Sequence, residues 1–146
     1  YVTLDDLFME SDIISLHCPL TDETYHVIDT EAIDKCKKGV VIVNTSRGAL
    51  VDAEALLNGI KTRKIGTACL DVYEEESEFF YEDYSESILK DDVLSRLIMM
   101  PNVLVTSHQA FLTHEALRRI AEITLGNIRD YFSDGKLENA VSFRQK

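Results

Sequence analysis

Short apolar runs rich in β-branched residues alternate along this chain with longer stretches whose apolar positions recur every three or four residues. That alternation predicts a parallel β-sheet joined by crossover helices. Ile13 to His17 reads as the first strand and runs into Cys18-Pro19. Thr30 caps a helix that turns Ala32, Ile33 and Cys36 inward and stops at Gly39. Val40 to Val43 is too apolar for an edge strand and is expected to be central. Asp52 caps the next helix through Leu56 and Leu57, with Glu54 at the positive end of its dipole. Ile65 to Leu70 is a third strand, Asp92 to Met99 a short helix before Pro101, and Val103 to Val105 a fourth strand. Thr113 opens the longest helix, to about Phe132. Leu117, Ile120, Ala121, Thr124, Ile128 and Tyr131 form its expected buried stripe, and Gly135 lies past its end. There is no internal repeat and no low-complexity linker.

At 146 residues the chain is long enough for one domain with a real core. Its formal charge of −11 argues against a nucleic-acid partner, which needs a basic face. Much of the excess lies between Glu74 and Glu86, where seven carboxylates stand without a Lys or Arg. Most of that stretch is expected to be a solvated loop, anchored by Phe79, Phe80 and Tyr81. The three cysteines, Cys18, Cys36 and Cys69, form no C-x-x-C pair and fit reduced thiols. No apolar run reaches transmembrane length and the start is not a signal peptide, so a cytoplasmic protein without a membrane partner is expected. No Cys/His/Asp set has metal-site spacing, and no metal is expected.

The glycines narrow the fold class. They are Gly39, Gly48, Gly59, Gly66, Gly126 and Gly135, and no two are spaced as G-x-G. A dinucleotide-binding α/β fold needs a glycine-rich first turn so that backbone N–H groups can approach the pyrophosphate. The strand pattern of such a fold without its phosphate loop reads as the second half of a doubly wound parallel sheet.

Candidate chemistry lies where the strands end. Arg47 in Asn44-Thr45-Ser46-Arg47-Gly48, the carboxylates of Asp71-Val72-Tyr73-Glu74-Glu75-Glu76 and His108 in Ser107-His108-Gln109-Ala110-Phe111 each follow a strand. Open α/β sheets bind ligands outside that edge. An arginine fork grips a carboxylate bidentately and stabilises negative charge developing on a carbonyl oxygen. An imidazole titrates near neutrality, and a nearby carboxylate favours its protonated form. Together they suit reduction of a carbonyl beside a carboxylate. Singly, such an arginine is most often a surface ion pair and such a histidine structural; joint placement on successive strand ends reverses that. Glu76 is the candidate partner of His108, with Glu74 and Glu75 as competitors. His17 reads as a hydrogen-bonded residue near a cofactor, and His26 and His114 as helix or loop residues without chemistry.

These motifs resemble the D-isomer-specific 2-hydroxyacid dehydrogenases, most closely the fermentative D-lactate branch. The resemblance runs from Asp12-Ile13-Ile14-Ser15-Leu16-His17-Cys18-Pro19 to the final helix. It is most specific at Asn44 to Asp52, at Leu70 to Glu74 and at His108-Gln109-Ala110-Phe111, and the insertion Glu78 to Asp83 also looks like the lactate branch. It implies an NAD-dependent enzyme interconverting pyruvate and D-lactate, or another 2-keto and 2-hydroxy acid pair. It further implies that residues 1–112 form the C-terminal half of an NAD-binding domain, with 113–146 a helix and tail returning to a substrate domain. By the same resemblance Arg47 binds substrate, Glu76 tunes the histidine and His108 is the acid/base, while Phe111 walls the substrate pocket. Cys18, Pro19 and Thr24 match positions at the adenosine and ribose end of NAD. Thr45, Ser46 and Arg47 match the nicotinamide side, and Asp71 the residue that holds its carboxamide. The family is usually a homo-oligomer. Some members use NAD occupancy to control binding to other proteins, which is the competing implication.

Overall fold

The computed structural model describes residues 1–74, 91–133 and 139–141. In chain order the elements are α1 (Leu4–Glu10), β1 (Ile13–Leu16), α2 (Thr30–Lys35), β2 (Val40–Asn44), a 3-10 turn (Gly48–Leu50), α3 (Ala53–Lys61), β3 (Ile65–Leu70), α4 (Asp92–Ile98), β4 (Val103–Val105) and α5 (His114–Ser133). The chain falls into two units, Tyr1–Gln109 and Ala110–Lys146.

In the first unit the four strands form one parallel sheet in the order β1-β2-β3-β4. All carboxyl ends therefore lie along a single edge, which is what gathers the candidate residues. β2 is internal, as its apolar run predicts. Val40, Ile42 and Asn44 are buried while Val41 and Val43 are half-buried, so both faces are covered. The register shifts between Val40 and Val41, opposite Gly66. A Cβ at Gly66 would stand 2.6 Å from the Gly39 carbonyl oxygen, so only glycine lets the strands approach there. The core packs Ile14, Ile42, Ile65 and Ala68 of the sheet against Ile33 of α2, Leu56 of α3 and Leu97 of α4.

Three expectations change in the first unit. Residues 4–10 form a helix that the strand–helix pattern passed over; Thr3 caps it by accepting the Asp6 amide, and Phe8 is its buried anchor. The cap of α2 is Asp29 rather than Thr30, because the Asp29 carboxylate reaches the Ala32 amide at 2.8 Å and Thr30 is already helical. β1 ends at Leu16, before His17.

The second unit contains α5, opened by Thr113, whose hydroxyl accepts the Ala116 amide at 3.1 Å. The expected stripe is amphipathic but not buried: Leu117, Ile120, Ala121, Thr124, Ile128 and Tyr131 are all exposed. Periodicity establishes that a helix has an apolar face, whereas burial needs a facing surface. The described residues of this unit, essentially one helix, offer none. Gly135 lies outside the described residues.

Candidate active site

The loop after β2 is shaped by Asn44, which is 1% exposed. Its side-chain amide donates to the Arg47 carbonyl at 2.9 Å, and its Oδ1 accepts the Ser46 amide at 3.1 Å. That double bond to its own loop turns Thr45, Ser46 and Arg47 across the sheet edge. Ser46 Oγ donates to the Cys18 carbonyl at 2.8 Å, tying this loop to the one after β1. Arg47 is exposed, and its guanidinium donates to the Ser46 carbonyl at 2.7 Å. Among the described residues it pairs with no carboxylate.

Gly48 then passes directly behind the chain leaving β3. A Cβ there would fall 2.1 Å from the Tyr73 carbonyl carbon and 2.5 Å from the Glu74 nitrogen, so this contact admits glycine alone.

Asp71 is the centre of the edge. It is buried, and its amide donates to the Asn44 carbonyl at 2.9 Å. Its carbonyl accepts the His108 amide at 2.7 Å. Its Oδ1 accepts both the Thr106 hydroxyl and, at 2.9 Å, the Gln109 amide. One residue thus joins the arginine loop on one side to the histidine loop on the other. His108 is half-buried and has a left-handed backbone, φ +51°, which a non-glycine residue holds only where its surroundings impose it.

Thr24 and His17 make local contacts. Thr24 closes its own turn, its hydroxyl donating to the Pro19 carbonyl at 2.7 Å and accepting the Thr21 amide at 2.8 Å. His17 bonds Ser15 Oγ through Nε2 at 2.8 Å. Phe111 is in the second unit and exposed. Of the three glutamates, Glu74 is taken by other partners: His26 Nε2 at 2.7 Å and the Tyr25 hydroxyl at 3.2 Å. Loss of surrounding water first, and Glu74 second, push the Tyr25 phenol above its ordinary pKa. Glu75, Glu76, Phe79, Phe80 and Tyr81 lie outside the described residues, so the His108 partnership of Glu76 is carried by the motif alone. Sequence reasoning missed Asn44, Thr106 and the His26–Glu74 pair. Asn44 carried a legible signal, a polar residue closing an apolar run. The other two contacts join residues 35 and 48 positions apart and have no local signature.

The chemistry of this edge suits the nicotinamide-riboside half of a dinucleotide. Thr45 and Ser46 offer hydroxyls and Asp71 a buried acceptor, groups that match an amide and sugar hydroxyls. Comparison with known proteins decides the family. The model of the D-isomer specific 2-hydroxyacid dehydrogenase NAD binding domain matches residues 1–110. The chain belongs to this family. Its cofactor is NAD, and the family's members are NAD-dependent enzymes. The chain is 51% identical over 141 residues to 2-hydroxyacid dehydrogenase A of Aspergillus oryzae, covering 97% of this chain and 41% of that protein. It is 54% identical over 128 residues to D-lactate dehydrogenase of Escherichia coli K12, covering 88% and 39%. A crystal structure of D-lactate dehydrogenase with NAD+ from Lactobacillus jensenii superposes with a TM-score of 0.87 at 32% identity, covering 99% of this chain and 43% of that one. The chain thus spans about two fifths of these dehydrogenases.

Proposed function

We propose that this chain is the NAD-binding and acid/base part of a dehydrogenase that reduces pyruvate to D-lactate. Asp71 carries the reading: it bonds Asn44, at the base of the arginine loop, on one side and the histidine loop on the other, so a substrate-binding cation and a proton donor follow the strands that flank its own. NADH, when bound, supplies the hydride. Arg47 receives the substrate carboxylate in its planar fork and stabilises charge on the carbonyl oxygen. His108 delivers the proton to that oxygen, and Glu76 favours its charged form. Asp71 accepts from the carboxamide, with Thr45 and Ser46 beside it. The E. coli relative's name favours the lactate branch.

The test is steady-state pyruvate reduction by a full-length protein carrying this chain. His108→Gln should lower kcat by roughly a hundredfold to ten-thousandfold while NADH affinity stays normal. Arg47→Lys keeps the charge but loses the fork, so kcat/KM should fall by at least about tenfold. Near-normal pyruvate turnover in either variant would remove that residue from the mechanism. Preference for a bulkier 2-oxo acid over pyruvate would keep the chemistry and replace the substrate.

A further inference from the structure

His26 lies outside the chemistry above, yet two separate pieces of chain, residues 49–52 and the chain leaving β3, converge on it. Its backbone amide donates to the Ala49 carbonyl at 2.9 Å, two residues beyond Arg47. Its Nε2 lies 2.7 Å from Glu74 Oε1, on the chain leaving β3, and its Nδ1 is 4.0 Å from Asp52 at the start of α3. The Tyr25 ring stacks on it with centroids 3.9 Å apart and bonds the same Glu74 oxygen. The next residues continue the attachment: the Ile28 amide donates to the Leu50 carbonyl, and the Asp52 amide to the Ile28 carbonyl. Glu74 lies against Gly48 with no room for a side chain between them. His26 holds a left-handed backbone, φ +50°, a conformation that persists only where surrounding contacts over-determine it.

We propose that His26 is a positioning residue for Arg47: its side-chain bond to Glu74 and its backbone bond to Ala49 pin the turn that carries the guanidinium against the chain leaving β3. A bidentate contact tolerates little displacement, so a loosened turn costs substrate recognition rather than cofactor binding. The inference rests on the dehydrogenase reading for its effect on turnover, but not for the latch itself.

The experiment uses the full-length protein carrying this chain, with His26→Asn, His26→Gln and Glu74→Ala made alone and with Arg47→Lys. Asparagine tolerates the left-handed backbone but is too short to reach Glu74, whereas glutamine keeps a donor. His26→Asn and Glu74→Ala should each lower kcat/KM for pyruvate by about tenfold and leave the NADH Kd within about twofold. His26→Gln should recover most of the loss. In the Arg47→Lys background, His26→Asn should cost less than about twofold, because the two act through one contact. Hydrogen exchange of the Leu50 and Val51 amides, which needs no turnover, should quicken in His26→Asn and Glu74→Ala. Unchanged exchange overturns the latch whatever the activity. A full additional tenfold loss in the Arg47→Lys background, or a parallel loss of NADH affinity, overturns the positioning role. A wild type that exchanges as expected but reduces no 2-oxo acid would overturn the dehydrogenase reading and leave the latch standing.

Discussion

Asn44 is a polar residue at the end of the most buried strand, and its burial is explained by what it bonds. Both halves of its amide are spent on the loop it precedes, so neither is left unsatisfied in the core. Asn44→Ala should therefore cost about 1–3 kcal/mol, the penalty for a buried carbonyl and amide losing their partner. Urea unfolding should show the loss as a lower midpoint at unchanged slope. An unchanged midpoint would mean that water replaces the side chain. At this scale Arg47, Asp71 and His108 were legible because each follows a strand within a recognisable motif. His26 was not, since its partner lies 48 positions away.

Helix termini show how far local signals reach. Asp52 and Thr113 were read correctly as caps, and both accept an amide three residues ahead. At α2 the expected cap, Thr30, is displaced by its neighbour Asp29. Asp29→Ala should cost about 1 kcal/mol, while Thr30→Ala should be nearly neutral. Thermal or denaturant unfolding of the two variants distinguishes them; equal losses would refute the cap assignment. The cap of α1 also follows a sequence pattern, Thr3 ahead of Asp6, but about two turns of helix are too short to raise a clear helical period.

For the whole molecule, the consequential fact is that one sheet edge carries the candidate chemistry while the chain spans about two fifths of its relatives. Transition-state stabilisation needs groups around the reacting atoms, and closing a site excludes water. The 146-residue polypeptide by itself is expected to bind NADH weakly and to show no measurable pyruvate reduction. Titration calorimetry with NADH and an absorbance assay with pyruvate check both. Tight binding or clear turnover would show that this edge is sufficient. Ile13, on the outer strand of the sheet, is 65% exposed, so self-association at high concentration is also expected and is read by sedimentation.

The sequence by itself determined the α/β class, the strands and most helices, and it supplied the candidates, Arg47, Glu76 and His108, that the proposal uses. These depend on local period, on capping chemistry and on strand ends, all of which operate within a few residues. Only the tertiary structure decided which groups those residues meet. Asp71 joins two loops, Gly48 admits the chain leaving β3, and His26 captures Glu74, because parallel pairing brings distant strand ends together. The apolar face of α5 marks the same boundary: sequence establishes that the face exists, and burial depends on a surface that no helix carries in its own period.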